Sequence, residues 1–263
     1  MPASTIDEVL SELERIIADC ERSGDRAGYF AALYYKVTSR VRDGIAANEF
    51  ADGPRMERLD VLFASRYLQA LDQWKKGLPV TGSWKTALDA TKGSSYLVLQ
   101  HLLLGVNAHI NLDLGIATVE TVRETGMGLP EIHADFDAIN AIIGSLTNEV
   151  IREIDQVSPL LSLIGLHSAN MESVLVQFSV SNARDGAWCF AEDLGGRTGV
   201  DYDDCIKARD KDISKLAGAL IRSRGFIRLT LWIIHLFEWK DPGKIIRVLN
   251  GYKKKFIKAA DIR

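Results

Sequence analysis

Two side chains four residues apart, His109 and Asp113, are the first candidates for chemistry, because they interrupt an apolar run, VLQHLLLGVNAHINLDLGIATV. Positions four apart differ by about 40° around a helix, so one face would present an imidazole nitrogen beside a carboxylate oxygen. An isolated carboxylate buried in a core costs several kcal/mol, so Asp113 must be paired, protonated or bound to a cation. Two readings follow from the spacing. The pair is either part of a metal site of the kind helical bundles carry, or a His–Asp hydrogen bond, or a salt bridge to a core arginine, that serves packing alone. Asn107 and Asn111 fall on nearly the opposite face and read as packing hydrogen-bonders.

The next long helical segment repeats the spacing as His133 and Asp137 in EIHADFDAIN, with Asp135 between them. Asp135 points about 200° away from His133 and shares its face with Ile139 and Ile142, so only one of the two faces can look inward. The inward stripe favours Asp135. First-turn acids also complement the helix dipole, which is the plain alternative for Asp135 and Asp137 alike. A site shared with the first pair requires the central helix to end or bend soon after Gly115. In SVSNARDGAW, Arg184 stands within an apolar helix, where a guanidinium balances a buried carboxylate or clamps an anionic substrate; the balancing role is the commoner one. His101, His167 and His235 read as hydrogen-bonded core histidines.

The elements that would position these groups are all helical. Ile6, Val9, Leu10, Leu13, Ile16 and Ile17 mark a first helix capped by Ser4 or Thr5 and ended at Ser23-Gly24-Asp25. A second runs from Tyr29 to about Ala47. A third follows Asp52-Gly53-Pro54, with Asp52 as cap, toward Trp74. Ser83 is placed to cap a helix from Trp84, and Lys92-Gly93-Ser94 breaks it. The central helix then spans about 95–124, closed by Gly126 to Pro130. Later helices run over about 131–156, 171–194, from Asp201 or Asp203 to Arg222, and 226–238. No alternating strand pattern, repeat or low-complexity linker appears, so the expected fold is all-α: a single-domain multi-helix bundle, residues 1–263, around a buried central helix.

With 263 residues, 47% of them hydrophobic, the chain has enough apolar surface for a large core. A formal net charge of −3 gives no nucleic-acid footprint for the whole chain. Three distant cysteines fit neither a disulfide framework nor a Cys-based zinc site, and the acidic start of the chain lacks the pattern of an export signal, which together point to a cytoplasmic protein. The stretch 96–119 is long enough to span a bilayer, but its six polar groups argue against a lone transmembrane helix. From Lys240 to Arg263 eight basic residues stand against two acids, a C-terminal segment that either meets an anionic membrane surface or is a solvated tail. No phosphate loop, G-x-S-x-G elbow, His-Glu-x-x-His or Cys-x-x-Cys is present.

The stretches GYFAALYYKVT, DGPRMERLDVLFASRYL, LLLGVNAHINLDLGIA, ADFDAIN and FSVSNARDGAW resemble a bacterial family labelled only as a domain of unknown function. The resemblance covers most of the chain and implies a role for His109, Asn111, Asp113, Asp135, Asn140, Arg184 and Trp188, without requiring His133 or Asp137. A fainter similarity is to helical zinc-dependent phospholipase C and nuclease proteins, whose remaining ligands have no counterpart here. The expectation is a divalent ion (Zn, Mg, Mn or Fe) held by His109, Asp113 and Asp135, with Arg184, Asn111 and Asn140 completing a hydrolase-like site for a small or lipid-like anionic substrate. Two alternatives are a metal-dependent cyclase or lyase on a hydrophobic substrate, and a non-catalytic bundle that binds an apolar ligand or partner.

Overall fold

The structure is a computed structural model describing residues 3–164, 180–222 and 225–251. Among the described residues it is helical with no strand: α1 (Ile6–Ser23), α2 (Ala27–Ala46), α3 (Gly53–Lys75), α4 (Gly82–Thr91), α5 (Val98–Ala108), a π-helical segment (His109–Leu114), α6 (Gly115–Thr125), α7 (Leu129–Val157), α8 (Val180–Gly195), α9 (Gly199–Ile221), α10 (Gly225–Phe237) and α11 (Pro242–Leu249). The expected all-α architecture holds. His167 and the expected start of a helix at Met171 lie outside the described residues, as does the basic segment beyond residue 251.

Local chemistry explains most boundaries. Thr5 caps α1 by accepting from the Glu8 amide, and Asp52 caps α3 by accepting from the Arg55 amide with Pro54 in the first turn. Gly24 and Gly126 end α1 and α6 in the left-handed conformation, at φ 71° and 68°. Two expected caps are corrected. Helix α4 begins at Gly82, and its first amides are held by a distant carboxylate: Asp210 of α9 accepts from Gly82 N at 2.7 Å and Ser83 N at 3.0 Å. Helix α9 begins at Gly199 after Thr198, before either Asp201 or Asp203. A carboxylate from another helix serves α4 because it satisfies two free N–H groups and favours the positive helix end, which a local serine does less completely.

α5, the π segment and α6 run as one continuous apolar rod from Val98 to Thr125, long and apolar enough to cross a membrane but mostly buried inside the fold. Helices α2, α4 and α9 pack on α5; α3, α8 and α9 on the π segment; α3 and α8 on α6. Close approach is set by two glycines. A Cβ on Gly105 would lie 2.4 Å from the Phe30 ring of α2, and one on Gly115 would lie 2.9 Å from the Ala187 carbonyl and 2.6 Å from Phe190 of α8. Helix α7 is fastened across α2 by Lys36, fully buried, which pairs with Glu153 and with Glu149 at 3.4 Å.

The Gly115 contact is partly with backbone, which cannot turn aside as a side chain can. Gly115→Ala should therefore destabilise the protein by about 1–3 kcal/mol through overpacking, measured as a lower urea midpoint at unchanged m-value; an unaltered midpoint would contradict this packing.

Candidate site around His109 in an apolar cavity

The π segment sets the site. A π turn bonds i to i+5 and locally widens the helix, and here it spans the residues singled out for chemistry, His109 to Leu114. His109 Nδ1 lies 3.2 Å from Asp113 Oδ2. The same carboxylate accepts from Trp84 Nε1 of α4 at 2.7 Å and from Arg66 Nε of α3 at 3.0 Å. Both oxygens are thus occupied by donors, so Nδ1 carries the hydrogen toward Asp113 and Nε2 is left as an acceptor. Burial holds the His109 pKa below its ordinary value, with Asp113 partly opposing the shift, so the ring is neutral at pH 7. Phe63 stacks on the ring at 3.5 Å and 6°, and Tyr34 meets it edge-on at 4.5 Å. His109 Nε2 is buried and has no hydrogen-bond partner among the described residues.

Asp135 does not join this pair. It is buried as the inward stripe predicts, but its oxygens accept from Arg55 Nη2 at 2.5 Å and from the amides of Ala51 and Asp52 at 2.6 and 3.2 Å. Its work is to bind the α2–α3 connection to α7. His133 and Asp137 form a surface pair 3.6 Å apart. The central helix continues unbroken to Thr125, so the end or bend that a shared site required is missing. Among the described residues no group of three His, Cys, Asp or Glu side chains is placed to hold a metal ion. Asn111 is committed to Asn107 Oδ1 at 3.1 Å, and Asn107 to the Ile213 carbonyl of α9, the packing role read from their face of the helix. His101 is buried between Tyr29 and Tyr96 with its pKa pushed down to about 4 by desolvation, but both ring nitrogens lack the expected hydrogen bonds among the described residues.

What His109 does border is a cavity of about 260 Å³. Its long wall is the α7 stripe from Phe136 to Ile154, roughly 27 Å of helix, faced by apolar side chains of α2 and α5 such as Leu33, Val37, Leu102 and Val106. The polar side chains that reach it are Tyr34, Asp60, His109, Thr147 and Arg184. Asp60 Oδ2 is buried and, like His109 Nε2, without a partner among the described residues, whereas the buried Tyr34 hydroxyl interacts with Thr38. Desolvation drives the Asp60 carboxyl up to about 7.

Arg184 also lines the cavity, beside Phe136 and Asn140 of α7. Its Nε donates to Asn140 Oδ1 at 2.7 Å, its Nη2 to the Phe136 carbonyl, and its guanidinium lies 4.4 Å over the Phe136 ring. It is 4% exposed, and among the described residues no carboxylate lies within ion-pair distance, so the expected structural salt bridge is not found there. Burial lowers its pKa to about 10, which still leaves it charged at pH 7. Asn140 therefore positions Arg184, and Trp188, one turn on, packs against Phe136 at 5.0 Å.

Sequence reasoning missed Arg66, Trp84, Tyr34, Asp60 and Phe63. For Asp60 a signal existed, since it lies four residues after Met56 and three before Phe63, within the apolar stripe of α3. Arg66 and Trp84 carried none, because only tertiary packing brings α3 and α4 to Asp113.

The fold and site define an all-α protein with an apolar cavity lined by a few polar side chains, His109 among them. A family model described as a family of unknown function (DUF5995) matches residues 6–223, and the chain belongs to that family. No curated protein and no solved structure matches the chain.

The folded chain retains a proton on Asp60 between the ordinary 3.8 and about 7, a window in which the unfolded chain has lost it. The penalty for the charged form thus grows as pH rises through that window and is constant above it. Asp60→Asn should gain stability over the native chain with rising pH, at up to about 1.4 kcal/mol per unit, levelling off above pH 7. Urea unfolding of both proteins at each pH checks this, and a difference independent of pH would contradict it.

Proposed function

We propose that the protein binds an amphipathic acid, with the hydrocarbon tail along the α7 wall of the cavity and the anionic head at Arg184. The observation that carries the reading is the buried guanidinium in the lining of an apolar cavity, with Asp137 and Asp185 acting on it only through space and no described carboxylate within ion-pair distance. A buried charge of this kind is costly without a counter-charge, and a planar fork suits a carboxylate or phosphate head. Size agrees: an apolar cavity of about 150 Å³ already takes up benzene, and this one is about 260 Å³. Of the polar groups that line the cavity, the Tyr34 hydroxyl can donate to a ligand oxygen, whereas the unprotonated His109 Nε2 can accept only from an O–H or N–H of the ligand.

The His109–Asp113 pair favours a second reading in which the bound molecule is a substrate. A neutral imidazole with Nδ1–H committed to a carboxylate has the form of a general base. The hydrolase-like chemistry read from the sequence would rest on this pair, with the water or hydroxyl to be deprotonated lying between Nε2 and the ligand head.

Displacement of a fluorescent fatty-acid probe by dodecanoate and by dodecanol separates tail from head recognition. Arg184→Gln should weaken dodecanoate by about tenfold or more, equivalent to ~1.4 kcal/mol, while dodecanol is unchanged; Ile143→Trp should weaken both by filling the cavity. Equal loss of acid and alcohol in Arg184→Gln, or no binding of either by the native chain, would contradict the proposal.

A further inference from the structure

Helix α10 leaves one face bare. Successive residues turn by about 100°, so Leu229, Trp232, Leu236 and Phe237 share one side while Leu231, Ile234 and Glu238 share the other. The second side is fixed to the fold. Leu231 and Ile234 pack with Leu97 and Ile164, Glu238 accepts from the Val98 amide at 3.1 Å and from the Ser158 hydroxyl, and Trp239 N donates to the Val157 carbonyl at 2.9 Å. The first side faces outward, with Trp232 57% and Phe237 61% exposed, Leu229 and Leu236 about half exposed, and Trp239 beside them. The helix is thus held rigidly by its inner face, and its outer face is a row of large apolar side chains.

Charge at this end of the chain indicates the occupant. Arg228 and Lys240 are exposed on and just after the helix. From Lys240 onward eight basic residues stand against two acids, whereas the whole chain has a net charge of −3, so positive charge is concentrated in the sequence that follows the apolar row. Two tryptophans, aliphatic residues and flanking cations form the composition that settles at a bilayer interface, where the indole ring is part apolar and part hydrogen-bonding and the cations meet lipid phosphates. A protein partner would need a matching acidic and apolar groove, whereas a membrane needs only this pattern. We propose that α10 docks the protein on an anionic lipid surface, its outer face inserted at the headgroup level with Arg228 and Lys240 meeting the phosphates. The inference is independent of the cavity ligand.

Flotation of the full chain with vesicles of phosphatidylcholine alone, and with phosphatidylglycerol mixed in, provides the test. Binding to the anionic vesicles should be at least about tenfold stronger than to the neutral ones and should fall at high salt. Trp232→Glu combined with Leu236→Glu should abolish it with thermal melting unchanged, since both side chains are exposed. Val200→Glu, on a still more exposed apolar residue of α9, should leave it intact. Absence of vesicle binding by the native chain, or binding indifferent to the double substitution, would overturn the proposal. So would a concentration-dependent dimer that the double substitution dissolves in a chain that ignores vesicles, which would assign the face to a second copy.

Discussion

The carboxylate of Asp113 is the point on which the centre of this protein depends. It accepts hydrogen bonds from Trp84 of α4, Arg66 of α3 and His109 of its own π segment, so three elements distant in sequence are joined through two oxygens. Arg66 is only partly buried and extends to Glu120 at 3.7 Å, which gives the charge a path toward solvent. Removing a partner from a buried charged pair costs about 3–5 kcal/mol because the remaining charge is stranded. The aromatic shell of Phe30, Tyr34, Phe63, Tyr67 and Trp84 around His109 depends on the same anchor, since the orientation of the ring they pack against is fixed by Asp113.

A second polar centre works in a similar way. Asp135 joins Arg55 and the amides of Ala51 and Asp52, setting the entry to α3 against α7. Both acids are buried and both are paired with arginine, but only the first also holds an imidazole at the edge of a cavity. The arrangement divides buried polar groups into two sets. Asp113, Asp135, Lys36 and Asn107 have partners that knit helices together, whereas Asp60 Oδ2 and His109 Nε2, on residues that line the apolar cavity, remain unsatisfied among the described residues. Unsatisfied buried groups are uncommon and costly, and those that line the cavity are where a bound molecule would find hydrogen-bonding partners.

The helices were legible in the sequence because helical periodicity and caps are local. Thr5, Asp52 and the left-handed Gly126 act where the pattern places them. The cap of α4 was not legible, because Asp210 lies more than a hundred positions away. The pairing of His109 with Asp113 followed from spacing, and the inward orientation of Asp135 from its stripe. Their separation did not follow, since nothing local distinguishes a carboxylate turned toward a cavity from one turned toward Arg55. Nor did periodicity announce the π segment, which alters the register of the helix by a single residue. The cavity itself was hidden for the same reason: Leu102, Val106, Ile139 and Ile143 read as ordinary core, and only the assembled helices show that a space lies between them.

The central claim is that burial keeps His109 neutral while Asp113 fixes its tautomer, with the hydrogen on Nδ1 and the Nε2 lone pair directed away from that carboxylate. Nitrogen-15 spectra of the histidine rings, assigned by comparison with His109→Gln and followed from pH 8 to pH 6, test it most directly. The account predicts a protonated Nδ1 and an unprotonated Nε2 from pH 8 to pH 7, with His109 gaining its second proton only at a lower pH than a free imidazole does. An imidazolium with both nitrogens protonated at pH 7, or the opposite tautomer, would contradict it.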